Sequence, residues 1–343
     1  MTTNPEEDST TSRLPELVQA LLDPKTYPEA PGRVQLMQTQ MSFVFIAGDF
    51  VYKVKKPVNL GYLDYTTLTK RRFFCQREVE LNRRLCPDAY LGIVPIVKAR
   101  GKISLGGRGR VIDCAVKMRY LPQDRMMNVL LANNQVSAEM VTQVAQKLVE
   151  FHKKAETNAA ISAFGDIGTI MVNTEENFDQ TEKSIGRTIS QEKYDRIRNY
   201  TRRFIENNAS LFGQRVAGGR IRDGHGDLHA AHICFTDSIC IYDCIEFNER
   251  FRYCDVASEI AFLAMDLDHY GRADLSRSFV KAYVDFSQDE ELLKLLNFYK
   301  CYRAYVRGKV ESFKLDDPYI SEEEKERSRQ AASSYFELAE SYI

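Results

Sequence analysis

No C-x-x-C pair occurs among the eight cysteines, at positions 75, 86, 114, 234, 240, 244, 254 and 301. That absence argues against a zinc knuckle, and thiols scattered over 343 residues do not resemble the dense disulfide frameworks of short secreted domains. Reduced thiols in a cytoplasmic protein are the expectation. Net charge is missing too. The 47 basic and 48 acidic side chains leave −1, which provides no electrostatic ground for a nucleic-acid or membrane partner. No uncharged apolar run approaches the ~18 residues needed to span a bilayer. The start, MTTNPEEDSTTS, is acidic and polar where a signal peptide is basic and then apolar. Internal repeats, low-complexity tracts and a G-x-x-x-x-G-K-[ST] loop are all absent.

What is present divides in two. Residues 1–12 read as a disordered polar tail. Two β-rich runs follow, Ser42 to Ile46 and Phe50 to Lys55, joined at Ala47-Gly48-Asp49. "TLTKRRFFCQREVELNRRL" has helical spacing, with Phe74, Glu78, Leu81 and Leu85 on one face. "YLGIVPIVKA" and "RVIDCAVKMRYL" supply further strands around a glycine-rich hairpin at 101–109. Beyond "YLPQD" the text is mostly helical, as in "SAEMVTQVAQKLVEFHKK", broken by short strands near 233–236 and 239–243. The fold class is therefore α+β. A small N-terminal sheet lobe with one long helix spans 13–123, and a larger, mainly helical lobe spans 124–343.

Three features can carry chemistry. Lys53 sits within a strand and shares a face with Val51 and Lys55. A lysine there faces solvent or pairs with an anion. Glu78, among apolar neighbours on the next helix, is costly to bury without such a partner. The second feature is His225-Gly226-Asp227, and the third is Asp243 at the end of a short apolar strand. A loop carboxylate and a strand-end carboxylate bracketing a hairpin can converge on a metal–nucleotide. A plain turn in which Asp227 caps an amide explains Asp227 alone and leaves Asp243 unexplained. His229 and His232 form H-x-x-H, though a histidine in such a loop is more often hydrogen-bonded in a core than bound to Zn²⁺, and a third ligand is not evident. Arg303 and Arg307 share a helical face, which is ordinarily solvated but can grip an acidic substrate. Glu246, Glu249, Asp266 and Asp268 can instead receive a cationic one.

The order Lys53, Glu78, "HGDLHAAHI", "IYDCIEFN" and Asp255 in "CDVASEIAFL" resembles the protein-kinase-like phosphotransferases of the aminoglycoside phosphotransferase and choline kinase branch. It is most similar to a bacterial group of aminoglycoside phosphotransferase family enzymes, some of which are fused to a P-loop ATPase half. The resemblance implies a bilobal fold and an ATP-dependent phosphotransferase using Mg²⁺ or Mn²⁺, with a small-molecule hydroxyl as acceptor. Residue by residue, it implies that Lys53 binds the nucleotide phosphates and that Glu78 orients it. Met118 to Leu121, including Tyr120, would form the adenine-reading hinge. Asp227 would be the base, Asp243 the principal metal ligand, and His232 would hold a second metal position where the family carries Asn. Asp255 would support the catalytic loop. The glycine-rich nucleotide loop of protein kinases is replaced by "QLMQTQMS", where Thr39, Gln40 and Ser42 can offer donors. The other function class in play is a catalytically degenerate kinase-like module that binds nucleotide and regulates a partner.

Overall fold

The computed structural model of the chain describes residues 14–317 and 320–343, so the tail expected over 1–12 lies outside the described residues. The structure divides into two units. One runs through Gln123 and takes in Thr236–Asn248, and the other comprises Asp124–Phe235 and Glu249–Ile343.

The first unit is built on an antiparallel sheet of β1 (Val34–Gln38), β2 (Ser42–Ala47), β3 (Phe50–Lys55), β4 (Tyr90–Ala99), β5 (Lys102–Leu105) and β6 (Arg110–Arg119), in the order β1-β2-β3-β6-β4-β5. β2 and β3 form a two-residue hairpin in register Phe45↔Tyr52, turned by Gly48 at φ +61°, a conformation glycine adopts without a Cβ penalty. Alternation then separates the faces. Phe43, Phe45, Ala47, Tyr52 and Val54 pack with Val18 and Leu21 of the short helix α1 (Glu16–Leu21) in one core. Lys53 and Lys55, on the opposite face of β3, meet α2 (Leu68–Asn82). Thr67 caps α2 by accepting from the Lys70 amide, and Arg71 anchors the helix to β6 through Asp113, with Nε 3.0 Å from both carboxylate oxygens.

Three expectations change here. Strand β5 occupies part of the stretch read as a glycine-rich hairpin, because Ile103 and Leu105 alternate inward and Leu105 is buried. Segment 236–248, assigned by sequence to the helical lobe, belongs to the first unit. The Asn82 side chain accepts from the Cys244 amide at 2.9 Å, and the Tyr90 hydroxyl lies 3.3 Å from the Asp243 amide. A disulfide joins Cys86 to Cys240, with Cα atoms 4.6 Å apart, which corrects the expectation of eight reduced thiols. The other six cysteines form no disulfide.

The second unit contains α3 (Met127–Ala132), α4 (Ala138–Lys154), α5 (Ile167–Thr181), α6 (Gln191–Asn207), α7 (Ala209–Ala217), α8 (Val256–His269), α9 (Ala273–Ser287), α10 (Leu292–Lys314) and α11 (Glu322–Glu340). Helix α8 is buried on nearly every side, as its text "VASEIAFLAM" requires. Phe262 and Met265 of α8 enter a core with Phe178, Tyr194, Tyr305 and Phe336. Among the described residues no helix is long and apolar enough to cross a membrane.

Candidate active site

In the first unit, the inward face of β3 and the buried side of α2 bring together the charges that sequence spacing singled out. Lys53 Nζ lies 2.6 Å from Glu78 Oε1 and 2.6 Å from Asp243 Oδ1. Lys55, two residues along the same face, lies 2.8 Å from Glu78 Oε2 and pairs with Glu246, which also accepts from the Tyr65 hydroxyl at 2.6 Å. Lys55 and Glu246 were not singled out together in the sequence, although the period of the strand places both lysines on one side.

Two lysines against Glu78, Asp243 and Glu246 leave the cluster with one net negative charge (+2 − 3 = −1). Burial pulls the Lys53 and Lys55 ammonium pKa values down, but the adjacent carboxylates outweigh it and hold both well above the ordinary value. Burial likewise pushes the Glu78 carboxyl up, and Lys53 and Lys55 more than reverse it, so Glu78 stays ionised. The Asp243 side chain is 43% exposed, and its backbone adopts φ +62°, a left-handed conformation costly for a non-glycine residue.

The other residues expected at a nucleotide are also in this unit. Ser42 is buried at the start of β2, and its amide donates to Thr39 Oγ1 at 2.9 Å, so that donor is engaged within the β1–β2 turn. Met118 is buried in β6 opposite Val51. Tyr120 is exposed just beyond the strand, its amide bonded to the Asp49 carbonyl at 2.8 Å.

In the second unit, the loop 223–232 carries Asp227, His229 and His232. It is held by a group that sequence reasoning missed. Glu259 of α8, almost fully buried, accepts from the His225 and Gly226 amides, each at 2.5 Å. Its other oxygen lies 2.8 Å from His152 Nε2, and the Tyr283 hydroxyl lies 2.8 Å from His152 Nδ1. Burial pushes the Glu259 carboxyl up, yet His152, His225 and the Gly226 amide bring it down to about 2. Gly224 is required beside it, since a Cβ there would lie 2.7 Å from the carboxylate.

The loop-supporting role expected for Asp255 therefore passes to Glu259. Asp255 instead pairs with Arg215 through two bonds of 2.7 and 2.9 Å and caps α8 at the Ala257 amide. The signal for Glu259 was a lone carboxylate inside the apolar run of α8. Arg303, for which sequence left a solvated face and a grip on an acidic substrate both open, is buried and donates to the Gly226 carbonyl at 3.1 Å and to Ser258. Asp266 accepts from the Ala230 amide at 2.8 Å, and Asp268 pairs with Lys300 at 2.8 Å. Neither stands ready for a cationic substrate.

Asp227 itself is about one-third exposed (34%). Burial raises its carboxyl pKa, but His229, His232 and Arg307 hold it well below the usual carboxylate range. His229 Nε2 and His232 Nδ1 lie 3.5 and 3.6 Å from Asp227 Oδ2. The third group near the H-x-x-H pair, not evident in the sequence, is thus Asp227. Asp243, the other expected metal ligand, is in the first unit, and His232 is in the second.

No family model matches the chain. It is 34% identical over 279 residues, 81% of its length, to an uncharacterised protein of Mycobacterium tuberculosis, and equally to one of Mycobacterium bovis. The chain spans about half the length (54%) of these curated relatives. Among solved structures it is similar to an ethanolamine kinase of Plasmodium vivax, with 11% identity, TM-score 0.50 and coverage of 88% of this chain and 81% of that one. A choline/ethanolamine kinase family protein of Mesorhizobium loti gives 11% identity and a TM-score of 0.49 over 98% of this chain and 99% of that one. The chain thus shares the kinase-like fold of that ethanolamine kinase.

Proposed function

We propose that the chain is an ATP-dependent phosphotransferase that moves the γ-phosphoryl group to a hydroxyl of a small molecule. The observation that carries the reading is Lys53, held 2.6 Å from both Glu78 and Asp243 although Asp243 lies 190 residues further along the chain. Phosphoryl transfer asks the protein for little covalent work, and depends on positioned cations and on a residue that aligns the acceptor.

In this reading Lys53 exchanges its carboxylate partner for nucleotide phosphate, while Glu78 keeps it oriented. Asp243 offers a partly exposed hard oxygen donor, which suits Mg²⁺. The residual negative charge of the cluster is of the sign a divalent cation offsets. A bound metal–ATP would supply the transferable group and neutralise charge developing on it. Ser42, Met118 and Tyr120 line the nucleotide. Asp227, kept ionised, accepts the proton of the acceptor hydroxyl, and His232 takes the position of a second metal ligand.

The testing experiment is ADP release over a panel of sugars, amino alcohols, aminoglycosides and nucleosides, with Asp227→Ala as control. Acceptor-dependent release that the variant lacks supports the proposal. Tight nucleotide binding without release on any acceptor supports the degenerate regulatory module instead.

A further inference from the structure

Lys55 is a costly residue to place where it stands. Its side chain is 3% exposed at the last position of β3, and an ammonium taken that far from water needs close ionic partners. It has one on each side. Glu78 Oε2 of α2 lies 2.8 Å away, and the second partner is Glu246, three residues after Asp243. The Tyr65 hydroxyl closes the arrangement by donating to Glu246 at 2.6 Å, and its ring centroid lies 4.8 Å from the Lys55 ammonium. Apolar side chains of similar volume commonly stabilise a core as well as a buried ion pair does. Stability alone therefore leaves Lys55 and Glu246 unexplained.

The two lysines of β3 hold Glu78 from different sides. Lys53 takes Glu78 Oε1 and, at the same 2.6 Å, the half-exposed Asp243. That half of the cluster is open to an incoming ligand. Lys55 takes the other Glu78 oxygen and joins it to Glu246, whose side chain is buried to 9% exposure. This inner half is closed to ligands. When Lys53 turns from Asp243 to a phosphate, Lys55 still compensates Glu78 and prevents it from following. Asp243 then loses its own lysine, and its place depends on the chain around it. The Asn82 and Tyr90 side chains contact the Asp243–Cys244 amides, and Glu246 anchors the segment three residues on. A backbone at φ +62° persists only where its surroundings hold it.

We propose that Lys55 and Glu246 are positioning residues, an inner ion pair that keeps Glu78 and the Asp243 segment in place while Lys53 exchanges carboxylate for phosphate. The proposal rests on the phosphotransferase reading and deepens it. The pair acts through Glu78 and Asp243, so its removal should be felt in the metal requirement more than in the fold.

The test is thermal unfolding of the full chain at saturating ATP while Mg²⁺ is titrated, with stability measured separately in urea. Glu246→Gln should raise the half-saturating Mg²⁺ concentration at least ~10-fold, as loss of a group that orients a metal ligand does. Tyr65→Phe keeps the ion pair, removes one bond to Glu246, and should raise it by less. The double change Lys55→Met, Glu246→Met removes both charges together, so it should keep more stability than either single change while retaining the raised Mg²⁺ requirement. A double variant with the wild-type requirement overturns the proposal and makes the pair structural only. Should the double variant not fold, Tyr65→Phe and Glu246→Gln decide it, and an unchanged requirement in both overturns it. A wild type without any Mg²⁺-dependent response to ATP overturns the phosphotransferase reading itself, and the proposal with it.

Discussion

The carboxylates of the first unit are held by direct ion pairs, whereas Asp227 of the second is held through its backbone loop. Glu78 bridges Lys53 and Lys55, and Asp243 and Glu246 each take one of the same two lysines. Asp227 lies 3.5 and 3.6 Å from its imidazole neighbours, while Glu259 and Arg303 fix the residues just before it. An ion-paired cluster can change partners when an anion arrives. A loop braced by buried hydrogen bonds keeps its geometry through the cycle. In the proposed phosphotransferase, the first cluster answers to nucleotide and the second to the acceptor.

The largest expected effect separates those two responses. Asp227→Asn should lower transfer by at least ~10²-fold while leaving ATP affinity near wild type. Lys53→Ala should weaken ATP binding itself. Steady-state kinetics with isothermal titration decides the matter, and the comparison breaks if Asp227→Asn costs as much ATP affinity as Lys53→Ala.

Next in size is the brace. Glu259→Gln leaves His152 and two amides with a poorer partner and should cost about 3 kcal/mol in chemical denaturation. The pH dependence sharpens it. The folded carboxyl sits at about 2, below its ordinary value, so its stabilisation is present above pH ~4.3 and is lost as pH falls toward about 2. The variant should therefore show a flatter stability–pH curve in that window. An unchanged slope would remove Glu259 from the account of the loop.

A smaller effect is expected at the disulfide. The double change Cys86→Ser, Cys240→Ser should lower stability by roughly 2 kcal/mol in urea unfolding. The metal-dependent response to ATP should survive it, because Asn82 and Tyr90 also hold the Asp243–Cys244 backbone. Loss of that response would make the disulfide part of the nucleotide cluster.

Much of this was legible in the sequence, for local reasons. The β2–β3 hairpin follows from alternation and a glycine turn, and the Glu78 face of α2 follows from helical spacing, so the Lys53–Glu78 pair could be anticipated. Lys55 shares the face of Lys53, but alternation does not say which lysine a glutamate takes, and Glu78 takes both. The disulfide joins residues 154 apart, a proximity created only by the packing of 236–248 beside α2 and β4. Glu259 was hidden differently. It stands in a mostly apolar run, and its partners His152, His225 and Gly226 come from two distant segments. The third group beside the H-x-x-H pair was not evident in sequence because Asp227 precedes it, and the 3₁₀ turn folds the histidines back toward that carboxylate.

The central claim is that Lys53, Glu78 and Asp243 form a nucleotide–metal cluster, and thermal unfolding with ATP tests it most directly. Binding to the folded state alone raises the melting temperature. The account predicts a rise when ATP and Mg²⁺ or Mn²⁺ are present together, little rise with ATP alone, and no rise in Asp243→Ala. An equal rise in Asp243→Ala, or one that needs no divalent metal, would contradict it.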